Sequence, residues 1–335
     1  MITRTPMIQL ISASLLGFAL TAQATGIDSN ALRAQAGAFF KPLPATMPGS
    51  EQDTQQQVTL GKELYFETEL SINGTQSCNS CHRVDAGLPG VDNEKTSPGA
   101  LGKRGDRNSP TVWNAGFHVA QFWDGRAPDL SAQAKGPVLN PIEMGLPDEA
   151  TAVAKLEKAG YKAKFAAAFP GTENALNYQN MADAIAAFER TLITSDRFDL
   201  FLKGQNDALS SAEQQGLQDF INAGCIACHN GELLGGQMYQ KMGVVNAYPN
   251  THDMGRFAVT NNPADKFVFK VPSLRDIANT APYFHDGGAK DLAQAIYDMG
   301  WYQLGKKLDA KQVASIETFL KALNNQQPVQ TADAE

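Results

Sequence analysis

Two copies of Cys-x-x-Cys-His, Cys78-Asn-Ser-Cys81-His82 and Cys225-Ile-Ala-Cys228-His229, use every cysteine of the 335-residue chain. That pentapeptide is the attachment signature of a c-type haem. Two thiols three positions apart share one helical turn, where each can add to a vinyl group on the edge of a porphyrin. The His that follows is then held under the iron as an axial ligand. A four-cysteine zinc site, a disulfide pair and a thioredoxin-like dithiol also use Cys-x-x-Cys, but none requires a His directly after both pairs. The chain must therefore fold around two covalently held groups, whose apolar area substitutes for part of an ordinary core.

The N-terminus carries Arg4, an apolar stretch from Ile8 to Leu20 and the small-x-small site Ala22-Gln23-Ala24, which read as a secretory signal over residues 1–24, cleaved near Ala24. Gln9, Ser12 and Ser14 interrupt the stretch, which is shorter than a stable spanning helix of ~20 residues, and no other membrane segment is expected. Export to the periplasm agrees with the cysteines, since c-type haems are attached outside the cytoplasm, where paired thiols tend to oxidise. About 310 residues remain, enough for two domains of the usual size. The motifs lie 147 positions apart (225 − 78), which fits one haem in residues 25–195 and another in 196–335. A net charge of −7 without a basic stripe excludes nucleic acid as a partner.

Residues 26–51 are rich in Ala, Pro and Gly without a clear period and read as an extended lead-in. Met181, Ile185, Phe188 and Leu192 recur at helical spacing behind Asn180 as a candidate N-cap. Leu217, Phe220 and Ile221 follow the capping box Ser210-Ser211-Ala212-Glu213, in a helix that stops at Gly224. Val313, Ile316, Phe319, Leu320 and Leu323 form a third stripe before a polar tail from Gln326. Long loops cover 83–110 and 231–272, the second with a strand-like run at Phe267-Val268-Phe269. The expected fold class is mainly α, with two cytochrome c-like haem domains and long loops.

Beyond the haem motifs, Asn108-Ser-Pro-Thr-Val, Ala120-Gln-Phe-Trp-Asp-Gly-Arg-Ala-Pro-Asp-Leu130, Gln133-Ala-Lys-Gly-Pro137, Ile142-Glu143-Met144, Pro272-Ser-Leu-Arg275, Pro282-Tyr-Phe-His285 and Met299-Gly300 stand out. Together they closely resemble the bacterial di-haem cytochrome c peroxidases, from about Leu60 to Leu323. The resemblance implies a periplasmic enzyme that reduces hydrogen peroxide to water with electrons from a small cytochrome c or a blue-copper protein. It implies that His82 is the proximal ligand of a peroxide-reducing haem, with Glu143 and Gln133 on the distal face. A carboxylate there can take a proton from the near peroxide oxygen and deliver it to the far one. Trp123 would lie between the haems. His229 and Met299 would ligate the second iron, a pair that raises the reduction potential. Asn108 with the carbonyls of Thr280 and Pro282 would hold a calcium ion, a hard cation that prefers oxygen ligands. Relatives are commonly homodimers. Of the remaining histidines, His285 would lie near the haems, bonded to a propionate or a neighbour, while His252 reads as a surface residue and His118 as a structural one.

The chain departs from this pattern at Ala100. Many relatives place a His there that blocks the sixth site of the peroxide-reducing iron, and no His, Met or Tyr occurs from Arg83 to Asn108. The expectation is a first haem that is open, or holds only water, without reductive activation, with His118 as a conceivable substitute ligand. Two other functions compete: a di-haem electron carrier, and a di-haem oxidase acting on a protein, like the relative that matures the tryptophylquinone of methylamine dehydrogenase. That relative has Tyr where Met299 stands.

Overall fold

Side chains that accept backbone N–H groups set most helix starts. Asp28, Thr54, Asp129, Asp148, Asn177, Asp196, Ser210, Asp291 and Asp309 each cap a first turn. The computed structural model describes Met1 and residues 27–326, so the expected signal from Arg4 to Ala24 lies outside the described residues. The helices of the first half are α1 (Ser29–Ala36), α2 (Gln55–Phe66), α3 (Cys78–Cys81), α4 (Leu130–Leu139), α5 (Glu149–Lys158), α6 (Lys162–Ala168) and α7 (Tyr178–Glu189). Those of the second are α8 (Arg197–Leu202), α9 (Ser211–Ala223), α10 (Phe257–Thr260), α11 (Leu292–Leu304) and α12 (Ala310–Lys321). Strands β1 (Tyr239–Lys241) and β2 (Val268–Lys270) pair antiparallel, Tyr239 opposite Lys270. The chain is mainly α, as expected. No helix among the described residues is long and apolar enough to cross a membrane.

Three boundaries differ from expectation. Residues 26–51 are not simply extended: they hold α1, and a 3-10 turn at Ser50–Gln52. Asp28 caps α1, and Leu32 and Ala36 are buried in the cluster built on α9 and α12, so tertiary burial supplies what local periodicity did not show. Helix α7 begins at Tyr178, because Asn177 accepts the N–H of Asn180. Phe267 has φ 62°, outside the extended range, so β2 starts one residue later. The capping box of Ser210 and Glu213 and the left-handed Gly224 (φ 96°) bound α9 as read.

Two apolar clusters organise the chain. One draws on residues between Leu60 and Leu192; the other on residues between Phe198 and Leu323, together with Leu32, Ala36 and Phe40. A helix crossing lies at the centre of each. A Cβ on Gly61 of α2 would stand 1.8 Å from the carbonyl oxygen of Ala184 in α7, and one on Gly216 of α9 would stand 2.1 Å from that of Ser315 in α12. Both backbones therefore approach more closely than any side chain allows.

The correspondence continues beyond the helices. Residues 107–130 recur in conformation at 269–292, a constant offset of 162 (Phe284 and Phe122, 284 − 122). Phe122 and Phe284 both have positive φ (65° and 74°), as do Asn114 and Asp276. Gln121 bridges Ala127 as Tyr283 bridges Ala289, and Asp129 and Asp291 cap α4 and α11. The chain is thus built as two copies of one frame.

Candidate functional site

Each Cys-x-x-Cys-His segment forms a tight turn, one turn of α3 in the first and a 3-10 turn at Cys225–Ala227 in the second. His82 Nδ1 lies 2.9 Å from the carbonyl oxygen of Pro110, and His229 Nδ1 lies 3.0 Å from that of Leu234. A carbonyl only accepts, so Nδ1 carries the hydrogen and Nε2 keeps its lone pair for a metal. Burial lowers the pKa of both rings, against the pull of those carbonyls, and keeps them neutral. Tyr65 donates to the His82 carbonyl at 2.6 Å, which fixes the turn below.

The cysteines are unpaired thiols. Burial pushes Cys78 well up, Cys81 up to about 11 and Cys225 up to about 12, the opposite of a reactive dithiol, whose thiolate is stabilised. Among the described residues no three His, Cys, Asp or Glu side chains converge as a metal cluster, so the four cysteines do not make one zinc site. What remains is one imidazole with a bare nitrogen and two free thiols facing a cavity, twice. That donor set fits a covalently attached haem in each half.

The first cavity has a volume of about 1070 Å³, and Cys78, Cys81, His82, Trp123, Gln133 and Glu143 all contribute to its wall. Glu143 follows α4, where its N–H donates to the Asn140 carbonyl and its Oε1 accepts from Asn140 Nδ2 at 3.0 Å. Burial raises its pKa, with Arg126 and Asn140 opposing. The Ala100 N–H donates to the Glu143 carbonyl at 2.7 Å, so the loop that carries Ala100 is fastened to the segment holding the acid. Gly99 allows this approach, because a Cβ there would stand 1.7 Å from the Ile142 carbonyl oxygen.

The second cavity, of about 220 Å³, takes Cys225, Cys228, His229 and Met299 into its wall, together with Asn108, Thr280 and Pro282. Phe122 and Trp123 belong to both walls. Trp123 Nε1 donates to the Asn108 carbonyl at 2.8 Å, and its ring meets His285 edge to face at 6.4 Å. The structure thus brings together His82, Glu143, Gln133 and Trp123 in one group, and His229 and Met299 in another. The three expected calcium ligands lie on the second cavity.

His118 lies in the wall of the second cavity rather than the first, with Nδ1 2.5 Å from Lys270 Nζ. It is therefore not placed to serve as a substitute ligand at the His82 side. His285 stacks on Phe269 at 4.0 Å, and its Nε2 is buried without a partner. His252 is exposed, as read, but it stands at the rim of the first cavity.

The sequence reading missed several residues around the junction. Arg107 donates to both carboxylate oxygens of Asp253 (2.6 and 2.8 Å) and to Asp124 (2.6 Å), joining the two halves. Glu189, at the end of α7, lines the first cavity with Oε2 unbonded and is raised to about 8 by burial. The backbone junction is reciprocal: Asn108 N–H donates to His285 O, and Lys270 N–H donates to Trp123 O, both at 2.8 Å. Those two bonds map onto each other under the offset of 162. The recurrence of Phe-x-Asp-Gly before an Asp-Leu pair, at 122 and 284, was the signal that could have revealed this frame.

Comparisons with known proteins agree with this geometry. A family model for di-haem cytochrome c peroxidase matches residues 55–207. The chain is 44% identical over 321 residues to cytochrome c551 peroxidase of Pseudomonas aeruginosa, covering 93% of this chain and 92% of that one. It is 41% identical to cytochrome c551 peroxidase of Nitrosomonas europaea over 92% of each, and 32% identical to the methylamine utilization protein MauG of Methylorubrum extorquens over 83% and 77%. A solved structure of a MauG-like protein associated with microbial copper homeostasis superposes with a TM-score of 0.77 at 29% identity, over 87% and 96%. With two like frames, two thiol-lined cavities and relatives of this similarity over nearly its whole length, the chain belongs to the di-haem cytochrome c peroxidase family and is an enzyme of that class, carrying two haem c groups.

Proposed function

We propose that the chain is a periplasmic peroxidase that reduces hydrogen peroxide to two waters with two electrons from a small cytochrome c or a blue-copper protein. The observation that carries this reading is the inequality of the two cavities: Glu143 and Gln133 share a wall with His82, whereas Met299 shares one with His229. When bound, the two haems supply the one-electron chemistry of iron. Cys78 and Cys81 would hold the first group and Cys225 and Cys228 the second, with His82, His229 and Met299 as axial ligands.

Within the first cavity the Gln133 amide orients peroxide, and the Glu143 carboxylate takes a proton from one oxygen and returns it to the other, so that the second leaves as water. Trp123 is in the wall common to both cavities, where it would help electrons pass between them. Asn108 and the carbonyls of Thr280 and Pro282 form a calcium position at the junction of the two halves, which divide near Ser195-Asp196. Export follows from the N-terminal signal, and a homodimer from the habit of relatives.

With Ala100 in place of a ligating side chain, the first haem would be open in the oxidised enzyme. A methyl group cannot ligate iron, and its loop is tied to the Glu143 segment through the backbone. The test is a steady-state assay with a reduced cytochrome and peroxide, run on protein kept fully oxidised until mixing and on a prereduced sample. Equal rates without a lag support the reading, and the oxidised protein should show a high-spin first haem. A six-coordinate bis-His spectrum would overturn the open site, and absence of peroxide turnover would overturn the activity. The MauG relative keeps oxidation of a protein in view as a second activity, against which Met299 stands where that relative has Tyr.

A further inference from the structure

Two of the mirrored pairs of positions at the junction carry different side chains on its two sides. Asn108 and Lys270 are related by the offset of 162, and so are His118 and Thr280. On one flank the side chain is a neutral amide; on the other it is an ammonium. Lys270 is only 6% exposed, and its Nζ lies 2.5 Å from His118 Nδ1. Among the described residues no carboxylate forms an ion pair with it, and burial alone brings its pKa down to about 7. Isolating an ammonium in this way is unfavourable unless an anion joins it.

The neighbouring imidazole has the same need. Lys270 donates to Nδ1, so the ring hydrogen sits on Nε2, and that nitrogen is buried with no acceptor. Lys270 and His118 both line the second cavity, whose wall is otherwise largely carbon. Two donors without an anion thus face a cavity whose thiols and imidazole fit a haem c, a group that carries two propionate carboxylates.

We propose that Lys270, steadied by His118, is the counter-ion of a haem propionate in the second cavity and holds that haem's reduction potential up. The inference rests on the proposed two-haem function. A fixed positive charge beside the porphyrin favours the reduced state, which carries one positive charge fewer. Lys270 touches no reacting atom and acts as a positioning residue. Its backbone N–H also holds the Trp123 carbonyl, so the strand that carries the charge supports the residue between the cavities.

The test uses the holoprotein with Lys270→Met and Lys270→Arg. Covalent haem content and the His/Met absorption of the second haem are recorded first, followed by a spectroelectrochemical titration. At a fixed ambient potential, Lys270→Met is expected to raise the oxidised-to-reduced ratio of the Met299-ligated haem about tenfold, ~59 mV for one electron. Lys270→Arg should stay within about twofold of wild type. An unchanged ratio in Lys270→Met with both haems attached would overturn the proposal, as would an equal shift in Lys270→Arg. If Lys270→Met fails to take up haem, Lys270→Gln is read by the same criteria. Wild-type protein with fewer than two covalent haems would instead remove the underlying function, and this inference with it.

Discussion

In the proposed reaction the chemistry turns on Glu143, and the setting of that residue makes two outcomes measurable. Glu143→Ala should retain both haems by covalent haem content while peroxide turnover falls about 10²- to 10⁴-fold, the usual worth of a positioned acid-base group. The carboxylate form must take the proton, and burial holds the pKa above its ordinary value of 4.5. Activity should therefore fall with decreasing pH along a limb lying above pH 4.5. A kcat/KM profile in which Glu143→Gln keeps that limb would assign it elsewhere. At this scale the cysteines and the two haem histidines were legible, because covalent attachment demands a fixed spacing. Glu143, Gln133 and Met299 came only from resemblance. Lys270 had no signature, since a single Lys in a short strand looks the same whether it faces solvent or a cavity.

Helices read well where their ends carry their own chemistry. Ser210, Glu213 and Gly224 bound α9 as expected, since a capping box and a left-handed stop are local. Helix α1 was missed, because its small apolar face is explained only by what it packs against, 161 residues and more downstream (197 − 36). The glycines at the crossings were also silent in sequence, and they offer a stability test. Gly61→Ala forces a methyl group into the Ala184 carbonyl, which is backbone and cannot rotate away. The variant should lose about 1–3 kcal/mol in denaturant unfolding, with the His/Met absorption of the other half unchanged. A loss near zero would mean that α2 and α7 can separate freely.

At the scale of the molecule, the junction carries the consequences. Arg107 with Asp124 and Asp253, and the two reciprocal backbone bonds, tie the halves around Trp123. A calcium ion at Asn108, Thr280 and Pro282 would stiffen the same seam. A chelator is accordingly expected to slow turnover several-fold, with recovery on adding calcium, whereas Asn108→Ala should be slow and indifferent to both. A chelator without effect on the wild-type rate would remove calcium from the account. The two-haem, two-half plan was readable from the paired motifs, but the shared frame was obscured by differences such as Trp123 against His285 and Asn108 against Lys270.

The segment from Ser29 to Leu43 belongs by its contacts to the far end of the chain. Ser29 bonds Gln214 at 2.7 Å, Gly231 donates to the Phe39 carbonyl, the Leu43 N–H reaches Asp199, and the buried Arg275 donates to the Lys41 carbonyl. That last pair is 234 residues apart. Lys41 therefore waits for 234 further residues, about seven-tenths of the polypeptide, before Arg275 exists. Contacts of such separation carry a high closure entropy and form late. Phe40 and its neighbours then lack their packing partners until that stretch has been made, and a protease cut between Lys41 and Gln55 would strip a wall from the C-terminal core while leaving the α2–α7 crossing whole.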